Sequence, residues 1–447
     1  MTIGDARLHP PSPHEPYARQ RLKILYDAST FGSGIGSTLR GGIFRVVDRI
    51  VAEAIDDPDV DALITALSSE WASISTTLYC NQVGEPLKSR FRRGWRSLAL
   101  PMSVHIRVRE HLYAWEQAGR PRSLSAFFVR AAWFAAKHTI IRSPIAGSFD
   151  IFHSLFHALP PHPHLDCRAR VITIYDLIPM LNPEYFTPDM VAYFKQILKS
   201  IDPLSDWVVC DSASTKRDLL RYVDIRPERV EVIHLAADPT FRRVDDEQRI
   251  SDVRARYGIP DGRYLLSVST LEPRKNLPFL LRCFARLLES DALAGVNLVL
   301  AGPKGWMSDP IYASLSDQRL KGRVHATGFV ADEHLPALYT GALAFVYPSL
   351  YEGFGLPPLE AMSCGTPVIT SNTSSLPEVV GDAGLMVDPT DESALCAAMR
   401  SVVDDCHLRS ALSERALARA KRFTWRSCMQ DHVTFYRRIL DSTQKNA

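Results

Sequence analysis

The sequence predicts an α/β protein of two doubly wound, Rossmann-like domains facing a central cleft. Three observations predict it. Short apolar runs alternate with helical patterns along the chain, the pattern of parallel sheets with helices on both faces. A polar stretch with local breakers, residues 239–262, splits that alternation into two halves. The chain's 447 residues are also more than one ordinary core organises. The expected division is a disordered lead-in at 1–20, a first domain at 21–238, a second at 239–424, and a final helix at 425–447 that returns to the first domain.

Composition narrows the function. Apolar residues make up 46% and charged residues 23%, as in an ordinary globular protein. A net charge of +2 and the lack of a recognisable motif argue against nucleic acid as a partner. No apolar run reaches the ~18 residues of a membrane span. The lead-in has no apolar core of a signal peptide. The eight cysteines are scattered without a C-x-x-C pair, which predicts reduced, buried thiols in a cytoplasmic protein. His162 and His164 in PHPHLD read as a surface loop, and no metal site is expected.

The first domain opens with the strand RLKILYDAST (21–30) and a glycine loop that includes Gly41 and Gly42. A helix follows on Ile43, Val46, Val47, Ile50 and Val51. The glycines do not fall into the G-x-G-x-x-G register, so a dehydrogenase is disfavoured. DALITALS (61–68) is the next strand. Residues 86–142 form an expected helical insertion, with twelve Lys and Arg against Glu110 and Glu116, and with Trp95, Phe127, Phe128, Trp133 and Phe134 interleaved. Three readings stay open for it: an anionic membrane surface, a phosphate-bearing acceptor, or packing on its own domain with a solvated basic face.

FDIFHSLFHALP and RVITIYDLIP supply two more strands. His153 and His157 are candidates to present an imidazole to the cleft, or are structural. Tyr175 and Asp176 close the second of these strands. DWVVCDSAST is a strand whose Ser212 or Ser214 caps the helix through Tyr222. RVEVIHLAAD ends the domain.

In the second domain a strand at 264–269 runs into Ser269, Thr270, Glu272, Arg274 and Lys275 before an amphipathic helix. Adjacent cations in a strand-to-helix loop suit a diphosphate, Arg as a fork and Lys as a point charge. VNLVLAGP and RVHATGFV are the next strands. The stretch PSLYEGFGLPPLEAMSCGTPVITS (348–371) then reads as glycine turn, helix start and strand. Pro357 and Pro358 fit the first helical turn, and Gly365 fits just past its end. The amides of Gly353, Phe354, Gly355 and Leu356 would face an anion. Glu360 either accepts hydrogen bonds from two neighbouring hydroxyls, as on a ribose, or complements the helix dipole. Ser375-x-x-Glu378 reads as a capping box.

Two glutamates separated by seven residues around GFGLP, with the AMSCGTPVI exit, resemble the donor-site signature of retaining glycosyltransferases of family four. Those enzymes have the two-domain GT-B fold. EPRKN resembles their phosphate-binding segment, and GGIFR their G-I-x-R helix start. The resemblance covers the second domain almost entirely and the first in outline. It implies a hexosyltransferase with no cofactor beyond a nucleotide-sugar, in which Lys275 and Arg274 hold the diphosphate without a metal. Glu352 would lie by the transferred sugar, Glu360 by the ribose, and Phe329 and Val330 by the base. The chain departs from the family at Ser269-Thr270, where many relatives have Gly-Arg, and at Tyr175, where many have histidine. The likeness is nearest to bacterial mannosyltransferases of polysaccharide assembly. It implies GDP-mannose as donor, with UDP-glucose or dTDP-rhamnose as alternatives, or else a non-catalytic scaffold. The acceptor implied is a glycan or polyprenyl-diphosphate-linked glycan, at a cytoplasmic location peripheral to the inner face of a membrane.

Overall fold

The computed structural model describes residues 20–34, 41–117, 127, 131, 134, 139–161, 165–290 and 292–444. The expected lead-in up to residue 19, Gly36, His162 and His164 lie outside the described residues, as does most of 118–138 of the basic segment.

Two six-stranded sheets, every neighbouring pair parallel, carry the molecule. The first contains β1 (Leu22–Asp27) and β2 (Val60–Thr65). Strands β3 (Trp95–Ser97) and β4 (Ile140–Arg142) form a separate antiparallel pair. The first sheet continues with β5 (Phe149–Ser154), β6 (Cys167–Ile174), β7 (Trp207–Cys210) and β8 (Val230–Val232), in the order β2-β1-β5-β6-β7-β8. The second holds β9 (Arg263–Val268), β10 (Val296–Ala301), β11 (Val324–Gly328), β12 (Ala344–Tyr347), β13 (Val368–Ser371) and β14 (Leu385–Val387), in the order β11-β10-β9-β12-β13-β14. Helices cover both faces, so Ile24, Leu25 and Tyr26 of β1 are all fully buried, as a continuous apolar run requires. The strand order reverses between β1 and β5 in one sheet and between β9 and β12 in the other. Ligands of such sheets bind outside the carboxyl ends of the strands at these reversals.

The segment 86–142 is not wholly helical. A helix spans Met102–Gln117, but β3 and β4 flank it, with Leu98 N–H donating to Thr139 O. Two tryptophans hold the region to the first domain. Trp95 Nε1 donates to Ala66 O, with the Arg142 guanidinium 5.3 Å from its ring, and Arg109 lies 4.2 Å from the Trp71 ring. Side-chain packing overrode the helical propensity there.

The last helix, Trp425–Gln444, lies on the first sheet. Cys428, Met429, His432, Val433, Phe435, Tyr436, Ile439 and Leu440 are buried at helical spacing. Phe435 meets Trp207 edge to face at 6.0 Å, and Trp425 Nε1 donates to Ala237 O. His153 is buried beneath this helix, 2.6 Å from Tyr436 Oη and 2.8 Å from Thr173 Oγ1. Of the two readings open for it, the structure favours the structural one: its side chain points to the helix-covered face of β5.

Candidate active site at the second reversal

β9 delivers Ser269 and Thr270 to a tightly packed strand end, where a Cβ on Gly302 would lie 1.9 Å from Ser269 O. A 3-10 turn, Pro273–Lys275, then points two cations inward, and Asn276 in a left-handed conformation (φ 56°) starts the helix Leu277–Glu289. β12 delivers Tyr347, Ser349, Tyr351 and Glu352. Gly355 (φ 114°) opens the helix Leu356–Ser363, a backbone position that side chains disfavour. The proline pair and Gly365 (φ 73°) stand where the sequence placed them.

These loops meet in one buried cluster. Lys275 Nζ lies 2.7 Å from Glu352 Oε1, and Arg274 Nη1 2.6 Å from Glu352 Oε2. Arg274 Nη2 lies 2.6 Å from Glu272 Oε1. Lys275 also donates to Tyr347 Oη at 2.6 Å, while Tyr347 and Ser349 donate to Glu352 at 2.8 and 2.6 Å. The cations are therefore not open charges: two carboxylates balance them. Burial alone would raise the Glu352 carboxyl, but Arg274 and Lys275 outweigh it and hold it down at about 2. Burial, then the neighbouring Arg274, pulls Lys275 below its ordinary value. Glu352 is 7% exposed, so it is no solvated loop residue.

Glu360, 3% exposed, lies 3.0 Å from Arg45 Nη2 and accepts from Tyr339 Oη at 3.2 Å. Arg45 belongs to the helix Gly42–Asp56 of the first domain, so this pair crosses the cleft. Burial raises the Glu360 carboxyl, with Arg45 opposing. Gly41 and Gly42, at the start of that helix, are exposed, and a Cβ on either would meet nothing within 4 Å. Phe354 packs its ring away from the cluster, 6.0 Å from His234 and 5.9 Å from Phe423, leaving only its backbone for the site. Phe329 is 38% exposed and Val330 is buried, beside Gly328 (φ 69°).

Gly353 has no room for a side chain. A Cβ there would lie 2.0 Å from the Tyr175 carbonyl oxygen, and Ser212 Oγ donates to Gly353 O at 2.6 Å. The domains touch at this point. Asp176, beside it, takes the Ile178 N–H and feels Arg274, Glu352 and Lys275 across the cleft; burial raises its carboxyl. The expected capping box is corrected. Ser375 Oγ donates to the carbonyls of Glu352 and Phe354, fixing the glycine turn. Glu378 instead accepts from Ala213 N–H at 2.9 Å and sits 2.6 Å from His234 Nε2, both in the first domain. Ser212 caps the helix Ala213–Tyr222, as one of the two expected choices.

The profile of glycosyl transferases group 1 matches residues 250–419, the part that builds this cluster. Over 275 residues the chain is 36% identical to O-antigen chain mannosyltransferase B of Escherichia coli, covering 62% of this chain and 71% of that protein. The chain belongs to the group 1 glycosyltransferases. The glycosyltransferase is also 32% identical to the serotype-specific mannosyltransferase WbdA of the same organism, across 62% of its own length but only 34% of WbdA. Anabaena HepE, solved with UDP and glucose, superposes with a TM-score of 0.60 at 17% identity over 92% of this chain and 98% of that one. That likeness shows the fold, which is GT-B.

Sequence reasoning named Lys275, Arg274, Glu352 and Glu360 but missed their partners. Arg45 was visible in GGIFR and Glu272 in EPRKN, each without a role. Tyr339, Tyr347 and Ser349 carry no local signal, because their importance arises only when distant loops converge.

Proposed function

We propose that this glycosyltransferase moves a hexose, mannose from GDP-mannose as first choice, to a glycan or polyprenyl-diphosphate-linked acceptor in polysaccharide assembly, with retention at the anomeric carbon. The names of its relatives support the sugar and the setting. The observation that carries the reading is the Arg274–Glu352–Lys275 cluster set against the first turn of Leu356–Ser363.

Departure of a nucleoside diphosphate builds charge on its phosphate oxygens. Lys275 and Arg274 exchange carboxylate partners for those oxygens, and the amides at 353–356 add donors that need no reorganisation. The protein's own cations serve the leaving group. Glu352 then faces the sugar, orienting hydroxyls or stabilising an oxocarbenium-like state. Glu360, oriented by Arg45, takes the ribose hydroxyls; the Phe329–Val330 backbone takes the base, and Ser269 and Thr270 line the diphosphate. The Gly41–Gly42 backbone approaches the donor from the first domain. For retention, the acceptor attacks the face that the diphosphate leaves, and a phosphate oxygen takes its proton. Tyr175, whose phenol burial pushes well above its ordinary value, is no base for that step.

Exposed Leu98, Leu100 and Val104 beside exposed Arg93, Arg96 and Arg107 support peripheral contact with an anionic membrane, which vesicle flotation with and without anionic lipid tests. Among the described residues, no helix is long and apolar enough to cross one.

A melting screen against nucleotide-sugars tests the donor reading, since a ligand of the native state raises the midpoint. GDP-mannose should give the largest rise and release GDP on turnover. Glu360→Ala should weaken nucleotide binding by about tenfold or more. No shift with any nucleotide-sugar, or unchanged binding in that variant, refutes the assignment.

A further inference from the structure

Between β12 and the glycine turn, residues 349–352 form a strap that holds the donor cluster from behind. The Leu350 N–H donates to Arg274 O at 2.9 Å. The Tyr351 carbonyl accepts from Arg274 Nη1 at 2.7 Å, and the same Nη1 lies 2.6 Å from Glu352 Oε2. Two successive residues of the strap thus share one guanidinium nitrogen. On its other side, Ser374 Oγ accepts the Glu352 N–H at 2.9 Å, and Thr373 Oγ1 donates to Leu350 O at 3.2 Å. Where Tyr351 goes, Arg274 and Glu352 are carried with it.

The side chain of Tyr351 crosses to the other domain. Its phenol donates to Asp218 Oδ2, on the helix Ala213–Tyr222. Asp218 is 6% exposed, and its Oδ1 lies 3.4 Å from the exposed Arg221. Ser214, one helical turn before Asp218 and on the same face, bears on the same phenol. Burial first, then the bond to Asp218, pushes the phenol up to about 12, so it keeps its proton and remains the donor. A hydroxyl on a carboxylate is among the stronger hydrogen bonds. The second domain also grips the start of this helix, through Gly353 O and Glu378. Those contacts set the spacing of the domains; that of Tyr351 runs on to Arg274.

We propose that Tyr351 is a positioning residue for sugar transfer: its bond to Asp218, made when the two domains are in contact, fixes the strap and so aligns Arg274 and Glu352. The inference rests on the proposed donor site, which gives those two side chains to the diphosphate and the sugar. Without the phenol's bond the strap keeps its anchors within the second domain, so the nucleotide still binds, but the two side chains are loosely aimed. Loss of aim is felt in turnover more than in affinity, since misplacement of about 1 Å costs up to ~10² in rate.

Three substitutions test this. Tyr351→Phe removes the hydroxyl, Asp218→Ala removes its acceptor, and Asp218→Asn keeps an acceptor oxygen. Nucleoside diphosphate release from GDP-mannose and UDP-glucose, affinity for GDP and UDP by calorimetry, and amide hydrogen exchange at Leu350 and Glu352 are measured for each. Tyr351→Phe and Asp218→Ala should each lower kcat about tenfold or more, with nucleotide affinity within a few-fold of wild type. Asp218→Asn should stay faster than Asp218→Ala, and the double variant Tyr351→Phe/Asp218→Ala should be no slower than the slower single one. Strap amides should exchange faster in the two disabling variants than in the wild type. Unchanged kcat in Tyr351→Phe overturns the inference, as do affinity falling in step with kcat, losses that multiply in the double variant, Asp218→Asn no faster than Asp218→Ala, or strap exchange equal to the wild type. If Asp218→Ala fails to fold, Tyr351→Phe decides by its kcat and its strap exchange. Binding of neither GDP nor UDP to the wild type sinks the donor reading instead. In that case, and wherever turnover is too slow to follow, strap exchange decides the inference by itself.

Discussion

The two crevices occupy equivalent positions in two sheets of the same winding, yet they are furnished in opposite ways. At the second reversal Arg274 and Lys275 face Glu272 and Glu352, and hydroxyls of Tyr347 and Ser349 complete the cluster. At the first, Asp27 ends β1 with no cation among its described partners, its Oδ1 accepting from Ser29 and Leu67; buried atoms without a partner occur at both, Asp27 Oδ2 at one and Glu272 Oε2 and Arg274 Nε at the other. One crevice carries a balanced cluster of two cations and two carboxylates; the other carries a lone carboxylate held by backbone and hydroxyl donors. The same topology thus presents different chemistry at equivalent places, set by which side chains the strand ends carry.

The comparison can be broken most forcefully at Lys275. Lys275→Ala leaves two buried carboxylates with one cation, and breaking such a pair costs about 3–5 kcal/mol. Chemical denaturation should show that loss, and nucleoside diphosphate release should fall by roughly 10²–10³. A variant as stable as the wild type would mean that the cluster is not preorganised by its ion pairs. Gly353→Ala comes next. Its Cβ would lie 2.0 Å from Tyr175 O, so the domains must part by a small displacement. Misplacement of about 1 Å costs up to ~10² in rate, so kcat should drop while calorimetry shows nucleotide affinity within a few-fold of wild type. An equal fall in both would place the effect in the second domain alone.

The smallest effect is acid dependence. The Glu352 carboxyl is held at about 2 in the folded chain against an ordinary 4.5. A depressed carboxyl contributes stability that is whole above the unfolded value and lost as pH falls through the folded one. The wild type should therefore lose stability progressively below about pH 4.5 toward 2, and Glu352→Gln should lose less over that window. Melting curves from pH 7 downward check it; identical slopes would show that Glu352 does not carry this charge balance.

Both sheets were legible from apolar runs, because buried parallel strands advertise themselves residue by residue. So was the donor loop, where Pro357, Pro358, Gly355 and Gly365 each answer a local backbone demand. What was hidden depends on partners far along the chain. His153 looked available at a strand end, but its partner is Tyr436, 283 residues away. Glu378 fitted a local capping pattern, yet Ala213 and His234 claim it from the other domain. The basic segment read as helical because its composition favours helix, while the pairing of Trp95 with Arg142 is non-local. Asp27 gave no signal, since one carboxylate after an apolar strand is commonplace until its orphaned oxygen is seen.

The helix Trp425–Gln444 has one further consequence. The sheet it covers is assembled from the earliest strands, so the first domain's core stays open until the final twenty-residue helix has been synthesised. The second domain, complete by then, is held between two covalent passages, one near residue 240 and one near 424, like a page bound at two points. The two sheets are therefore joined by the chain twice over, once after β8 and once before that helix.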